Sequence, residues 1–204
     1  MTRHIRIAVC PVTAVTAVTV AAVFGAGDGP AQAQPRDALV APAGPVLAPL
    51  VGLAAERVLL ADQVAAAKYG TESPIDEPSR EKQVLDAMAE EARGLGLDPA
   101  EATAVFKDQI EASKLVQREL FRAWDRGTAR PPEHRPTLAE TRPLIDSVNH
   151  RLLAELSATD PVRDGARCVV RLVSVERRVA GRLRLSPLHE TGLLRALPSV
   201  CRAG

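Results

Sequence analysis

Arg57, Lys68, Arg80, Ser113, Gln117 and Arg142 fall where amphipathic helices would place apolar side chains. Stepping along the first helical stretch by four and three residues gives Leu50, Ala54, Arg57, Ala61, Val64 and Lys68, one continuous face interrupted by two cations. A later stretch gives Phe106, Ile110, Ser113, Gln117, Leu120 and Trp124, with Ser113 and Gln117 side by side at i and i+4. Two further stripes run Arg80, Val84, Met88, Ala92, Leu95 and Arg142, Ile145, Asn149, Leu152, Leu156. Any one of these positions has an ordinary explanation. A stripe Arg or Lys snorkels its head group to water, a lone Ser back-bonds to its own helix, and a lone Gln is a satisfied core amide. Together they are harder to dismiss, because three guanidiniums and an ammonium facing one core repel and are costly to bury unpaired. Few carboxylates share the stripes, so the pattern calls for an anionic ligand with more than one negative charge.

These side chains need helices to hold them. Ala, Leu, Arg and Glu dominate and strand-like alternation is absent, which predicts an all-α fold. The pattern predicts a single-domain bundle of about six helices: 46–69, 79–95, 99–125, 138–158, 161–184, and a sixth opened by Ser186-Pro187 and ending before Pro198 or at Cys201. Asp98 and Pro99 read as an N-cap and first helical residue, and Thr137 with Glu140 as a capping box. Pro143 raises the alternative that the fourth helix begins only at Thr141. Residues 70–78 and 126–136 read as loops, the second rich in Pro.

Other chemistries find little support. His134, His150 and His189 are scattered, and none sits beside a nucleophile in a recognisable motif. There is no glycine-rich phosphate loop, and no closely spaced His/Cys set that would form a metal site. Aromatics are too sparse for a nucleic-acid stacking platform.

Residues 1–33 read as a secretory signal peptide. Arg3 and Arg6 precede an apolar run from Ile7 to Phe24, and Ala31-Gln32-Ala33 is a cleavage pattern. The alternative is an uncleaved anchor, though a run of about 18 residues rich in Ala, Val and Thr is marginal for spanning a bilayer. Residues 34–45 read as a flexible Pro/Ala-rich tail, and 46–204 as the functional domain, placed in a secreted or periplasmic location. Removing Arg3, Arg6 and Asp28 from 26 basic and 25 acidic residues leaves 24 of each. That neutrality argues against a general nucleic-acid or membrane-surface binder. Of three cysteines, Cys10 lies in the signal. Cys168 and Cys201 remain as an even pair, read as one disulfide worth roughly 3–4 kcal/mol; the alternative is two free buried thiols.

In this order and spacing, the segments LVGLAAERVLLADQVAAAKY (50–69), SPID (73–76) followed by Arg80, LDPAEATAVFKDQIEASKLVQ (97–117), Trp124 before a Pro-rich loop, IDSVNHRLL (145–153) and the cysteine pair resemble the secreted, gamma-type chorismate mutases of the AroQ helical class. The resemblance covers about Pro49 to Cys201. It implies that Arg57, Arg80 and Arg142 bind the two carboxylates of chorismate and that Lys68 contacts the ether oxygen of the breaking C–O bond. Gln117 falls where the family donates a second hydrogen bond to that oxygen, and Ser113 where it has a small hydroxyl residue. Glu81 resembles the carboxylate that binds the substrate hydroxyl in cytosolic relatives; Val84 departs from the polar residue that secreted relatives use. The reaction implied is a unimolecular [3,3] rearrangement to prephenate, without covalent intermediate, cofactor or metal, in a homodimer with a complete site in each chain. The competing expectation is a non-catalytic exported binder or sensor of a small dicarboxylate.

Overall fold

The computed structural model describes residues 46–202. The predicted signal peptide and tail lie outside the described residues. Within them are six α-helices: α1 (Ala48–Lys68), α2 (Pro78–Gly94), α3 (Pro99–Asp125), α4 (Leu138–Ala158), α5 (Ala166–Leu183) and α6 (Pro187–Ala196). Among the described residues there is no strand, only an isolated bridge between Asp164 and Arg202.

Helix α1 is the axis of the bundle. It packs against α3, α4, α5 and α6, and a helix surrounded in this way must be apolar around most of its circumference. Its composition supplies that, with Leu50, Val51, Ala54, Ala55, Val58, Ala61 and Ala65 all buried. Arg57 and Lys68 are buried with them. The small residues let neighbours approach closely. Opposite Val58, Gly192 of α6 is packed so tightly that an added Cβ would lie 2.8 Å from Val58 and 2.9 Å from Val116 of α3.

Local signals set the helix ends. Asp98 caps α3 by accepting from the Ala100 amide at 2.9 Å. Thr137 and Glu140 form the reciprocal capping box at the start of α4, through Glu140 N–H to Thr137 Oγ1 and Thr137 N–H to Glu140 Oε2. Those bonds to its charged form hold the Glu140 carboxyl below its ordinary pKa. The cap decides where α4 begins: the helix starts at Leu138, and Pro143 lies inside it. That proline forgoes one backbone bond, early in the helix and on its exposed side. Helix α2 ends in a Schellman turn, with Gly96 at φ 73° and amides of Leu97 and Gly96 donating to the carbonyls of Ala92 and Arg93.

The fifth helix begins later than its apolar pattern predicts. Asp160–Val162 form one 3-10 turn, Gly165 turns at φ 73°, and α5 starts at Ala166. The break is held from outside. Buried Arg163 pairs with Asp160 at 2.8 Å, while Arg202 donates to Asp160 and Asp164 and its amide to the Arg163 carbonyl. The C-terminal segment thus competes with helix continuation for these groups. Nearby, Cys168 and Cys201 form the expected disulfide, with Cα atoms 5.8 Å apart.

Candidate active site

All seven predicted site residues line one cavity. Arg57 and Lys68 come from α1, Arg80 and Glu81 from α2, Ser113 and Gln117 from α3, and Arg142 from α4. Val64, Ile75, Val84, Ile110, Leu138 and Ile145 supply apolar walls between them.

Arg57 sits deepest. Its Nε donates to Asn149 Oδ1 at 2.8 Å and its Nη1 to the Gln109 carbonyl at 2.7 Å. Gln109 is anchored in turn by its amide, which donates to the Ala196 carbonyl of α6 at 2.8 Å. A guanidinium has five N–H donors, so most of this one remains free for a ligand, on an arm that cannot swing. Burial pushes the Arg57 pKa down to about 10, with Asp146 opposing the shift; the group stays cationic at neutral pH.

Lys68 ends α1, and the loop that follows wraps its ammonium. It donates to the carbonyls of Pro74 at 2.7 Å and Ile75 at 3.4 Å, and pairs with Glu77 at 2.5 Å. The helix end is pinned by an aromatic cluster. Tyr69 meets Phe121 and Trp124 edge-on at 5.2 and 4.9 Å, and its hydroxyl donates to Asp125. Arg135 lies over the Tyr69 ring at 5.6 Å.

The cations have more acidic partners than the helical stripes show. Glu77 bridges Lys68 and Arg142, the latter at 3.3 Å. Asp146, one turn beyond Arg142 on α4, pairs with Arg80 at 3.1 Å. The scarcity of carboxylates predicted from the stripes is therefore corrected: Glu77 lies in a loop and Asp146 off the apolar stripe, so helical periodicity could not place either beside a cation.

Lys114 is a further residue that sequence reasoning missed. It lines the cavity, its side chain only 11% exposed, and reaches three carboxylates: Glu111 at 2.8 Å, Asp76 at 2.9 Å and Glu81 at 3.2 Å. Burial pulls its pKa down, but the bonds to Asp76, Glu111 and Glu81 outweigh that and leave it above the ordinary lysine value. Glu81 is thus gripped from two sides, accepting also from the Glu77 amide at 3.3 Å. Lys114 and Arg118 together lower the Asp76 pKa and fasten the loop to α3. Nothing in the stripe pattern marks Lys114; a lysine adjacent to the Ser113 position reads as a solvated surface residue.

Gln117 is buried. Its Nε2 donates to Ser113 Oγ at 3.1 Å and its Oε1 has no partner. Turning the amide over would let the Ser113 hydroxyl donate to Oε1 and aim the NH2 into the cavity. The arrangement as a whole offers rigid cationic donors and an adaptable amide around an apolar slot. That suits a compact, multiply charged anion.

A family model described as "Chorismate mutase type II" matches residues 48–118. The chain is 34% identical over 174 residues to the secreted chorismate mutase of Mycobacterium tuberculosis, covering 81% of this chain and 87% of that one. It is 34% identical to the secreted chorismate mutase of Mycolicibacterium smegmatis, covering 91% and 98%. The crystal structure of a chorismate mutase from Burkholderia phymatum superposes with a TM-score of 0.74 at 34% identity, covering 78% of this chain and 97% of that one.

Proposed function

This chain belongs to the type II chorismate mutases, and on that premise we propose how its cavity converts chorismate to prephenate. The observation that carries the proposal is the convergence of Arg57, Lys68, Arg80, Glu81, Ser113, Gln117 and Arg142 on one cavity.

The reaction breaks one C–O bond and forms one C–C bond within a single molecule, so the protein has to restrain and polarise rather than attack. Arg57, Arg80 and Arg142 bind the two carboxylates and hold the compact conformer in which the reacting carbons meet. Negative charge then grows on the ether oxygen. The Lys68 ammonium, freed from its long 3.4 Å bond to the Ile75 carbonyl, and the Gln117 amide stabilise it in a site shielded from water. Neither group needs to gain or lose a proton. Glu77 holds Lys68 and Arg142 in the free enzyme, and the arriving carboxylate displaces it from Arg142. Glu81, set by Lys114, accepts the substrate hydroxyl, taking over the role for which Val84 has no polar atom.

The relatives are secreted enzymes, and residues 1–33 are assigned as the signal that exports this one. Since α1 to α4 of one chain line the cavity, each subunit of the proposed homodimer carries a whole site.

The direct test follows chorismate absorbance with residues 34–204 beside a Lys68→Ala variant. The expected outcome is turnover in the wild type and a loss of kcat of about 100-fold or more in the variant, as for removal of one oxyanion donor. Binding of a bicyclic dicarboxylate transition-state analogue without turnover would make the protein a dicarboxylate binder instead.

A further inference from the structure

The cations around the cavity do not share one kind of partner. Lys68 and Arg142 pair with Glu77, Arg80 with Asp146, and Lys114 with three carboxylates. Among the described residues that line the cavity, Arg57 is the cation without an ion pair. Both of its partners are neutral, the Asn149 side-chain Oδ1 at 2.8 Å and the Gln109 carbonyl at 2.7 Å. Asp146 is felt at Arg57 only at longer range, where its charge opposes the effect of burial on the Arg57 pKa.

The division follows access to water. The Glu77 side chain is 25% exposed and that of Asp146 45%, so each can turn to solvent when a ligand takes its cation. Asn149 is 1% exposed and Arg57 6%. A partner at position 149 has nowhere to go. An acid there would cancel the Arg57 charge permanently, and no arriving anion could displace it. Helix α4 sets the two kinds of partner three residues apart, Asp146 against the half-exposed Arg80 and Asn149 against the buried Arg57. Asn149 does not line the site cavity; it lines a separate cleft between α2 and α4. It therefore acts on a ligand only through Arg57.

On the assignment of Arg57 to a substrate carboxylate, we propose that Asn149 is a positioning residue whose neutral oxygen aims the guanidinium and leaves its whole charge for the substrate. Two of the five N–H donors of Arg57 are used by Asn149 and Gln109, and the others remain for that carboxylate. An aspartate would aim the arm equally well, so the choice of amide over acid concerns charge and not geometry.

The test compares Asn149→Asp and Asn149→Leu with the wild type in three measurements: chorismate turnover, calorimetric titration with the bicyclic dicarboxylate transition-state analogue, and thermal unfolding. Asn149→Asp keeps an acceptor for Nε and adds a fixed charge. Its Tm is expected at or above the wild-type value, because a buried guanidinium gains an opposite charge. Its analogue affinity and kcat/KM should nevertheless fall about 100-fold, mostly through KM. Repulsion between two carboxylates on one guanidinium weakens ground state and transition state alike. Asn149→Leu has nearly the same shape and no acceptor. It leaves the arm loose, so kcat should fall about tenfold with a smaller change in KM. In an Arg57→Met background, Asn149→Leu should cost less than about twofold more, because both act through one side chain. Affinity lost while Tm is kept is a signature that a merely structural residue does not give. The proposal is overturned if Asn149→Asp binds and turns over within about threefold of the wild type. It is also overturned if the losses in both variants track a fall in Tm, or if the effects of Asn149→Leu and Arg57→Met are fully additive. An Arg57→Met variant that binds the analogue as tightly as the wild type would instead overturn the assignment of Arg57 itself.

Discussion

At the residue scale, the ether-oxygen donor proposed at position 117 is an amide where a carboxyl would do the same work only when protonated. A neutral amide donates at any pH, so activity should be nearly flat between about pH 5 and 7.5. In Gln117→Glu, the donor exists only in the acid form. Its rate should match the wild type near pH 5 and fall about tenfold for each pH unit above the new group's pKa. A flat profile for the variant, or a steep one for the wild type, removes Gln117 from the assigned role. Lys114 makes a separate prediction because it acts through another side chain. Lys114→Met should lower kcat/KM about tenfold, while Lys114→Arg retains most activity. In a Glu81→Gln background the same change should cost little, since residues acting as one unit are non-additive. Full additivity would reduce Lys114 to a loop anchor. The stripe positions Arg57, Lys68, Ser113 and Gln117 were legible because a polar residue inside an apolar period is conspicuous. Lys114, Glu77 and Asp146 were not: their pairing arises only when the 70–77 loop and α2 pack against α3 and α4, which no single-helix period encodes.

Elements were most legible where the stop and start signals are local. The bounds of α3 and α4 follow from Asp98-Pro99 and the Thr137/Glu140 box, and the cap outweighs Pro143 because the proline lies only a turn and a half beyond it. The start of α5 was not legible, since the Arg202 contacts that hold the break before Gly165 come from the far end of the chain. Helix α6 shows the same dependence on tertiary context. Gly192 reads as a weak point in a short helix, yet it is the point where α6 meets Val58 and Val116. Gly192→Ala improves helix propensity and would stabilise an isolated helix. In this bundle the new methyl is overpacked, so the change should destabilise by about 1–3 kcal/mol. It should also reduce activity, because Ala196 of the same helix holds Gln109, whose carbonyl fixes Arg57. An unchanged or raised Tm would show that Val58 and Val116 yield without cost.

At the scale of the whole molecule, the chain divides its labour. Helices α1 to α4 carry the site, and α5, α6 and the C-terminal segment brace it. The disulfide belongs to the brace. It ties the first turn of α5 to the segment after α6, across 33 residues. Neither cysteine lines the cavity. Its stabilising effect is exerted mainly on the unfolded chain, whose freedom it restricts, by roughly 3–4 kcal/mol. For a domain of this size that corresponds to a Tm difference on the order of 10 °C. Reduction, or the Cys168→Ala/Cys201→Ala pair, should therefore lower Tm by about that much and leave kcat and KM at 25 °C nearly unchanged, provided the bundle remains folded there by circular dichroism. If activity instead falls in step with reduction while the helical signal persists, the brace is coupled to the site. The path for that coupling runs from Cys201 to Val200, whose amide donates to the Leu197 carbonyl, then to the adjacent Ala196, whose carbonyl holds Gln109, and so to Arg57. Gln109→Ala should then reproduce the loss with the disulfide intact.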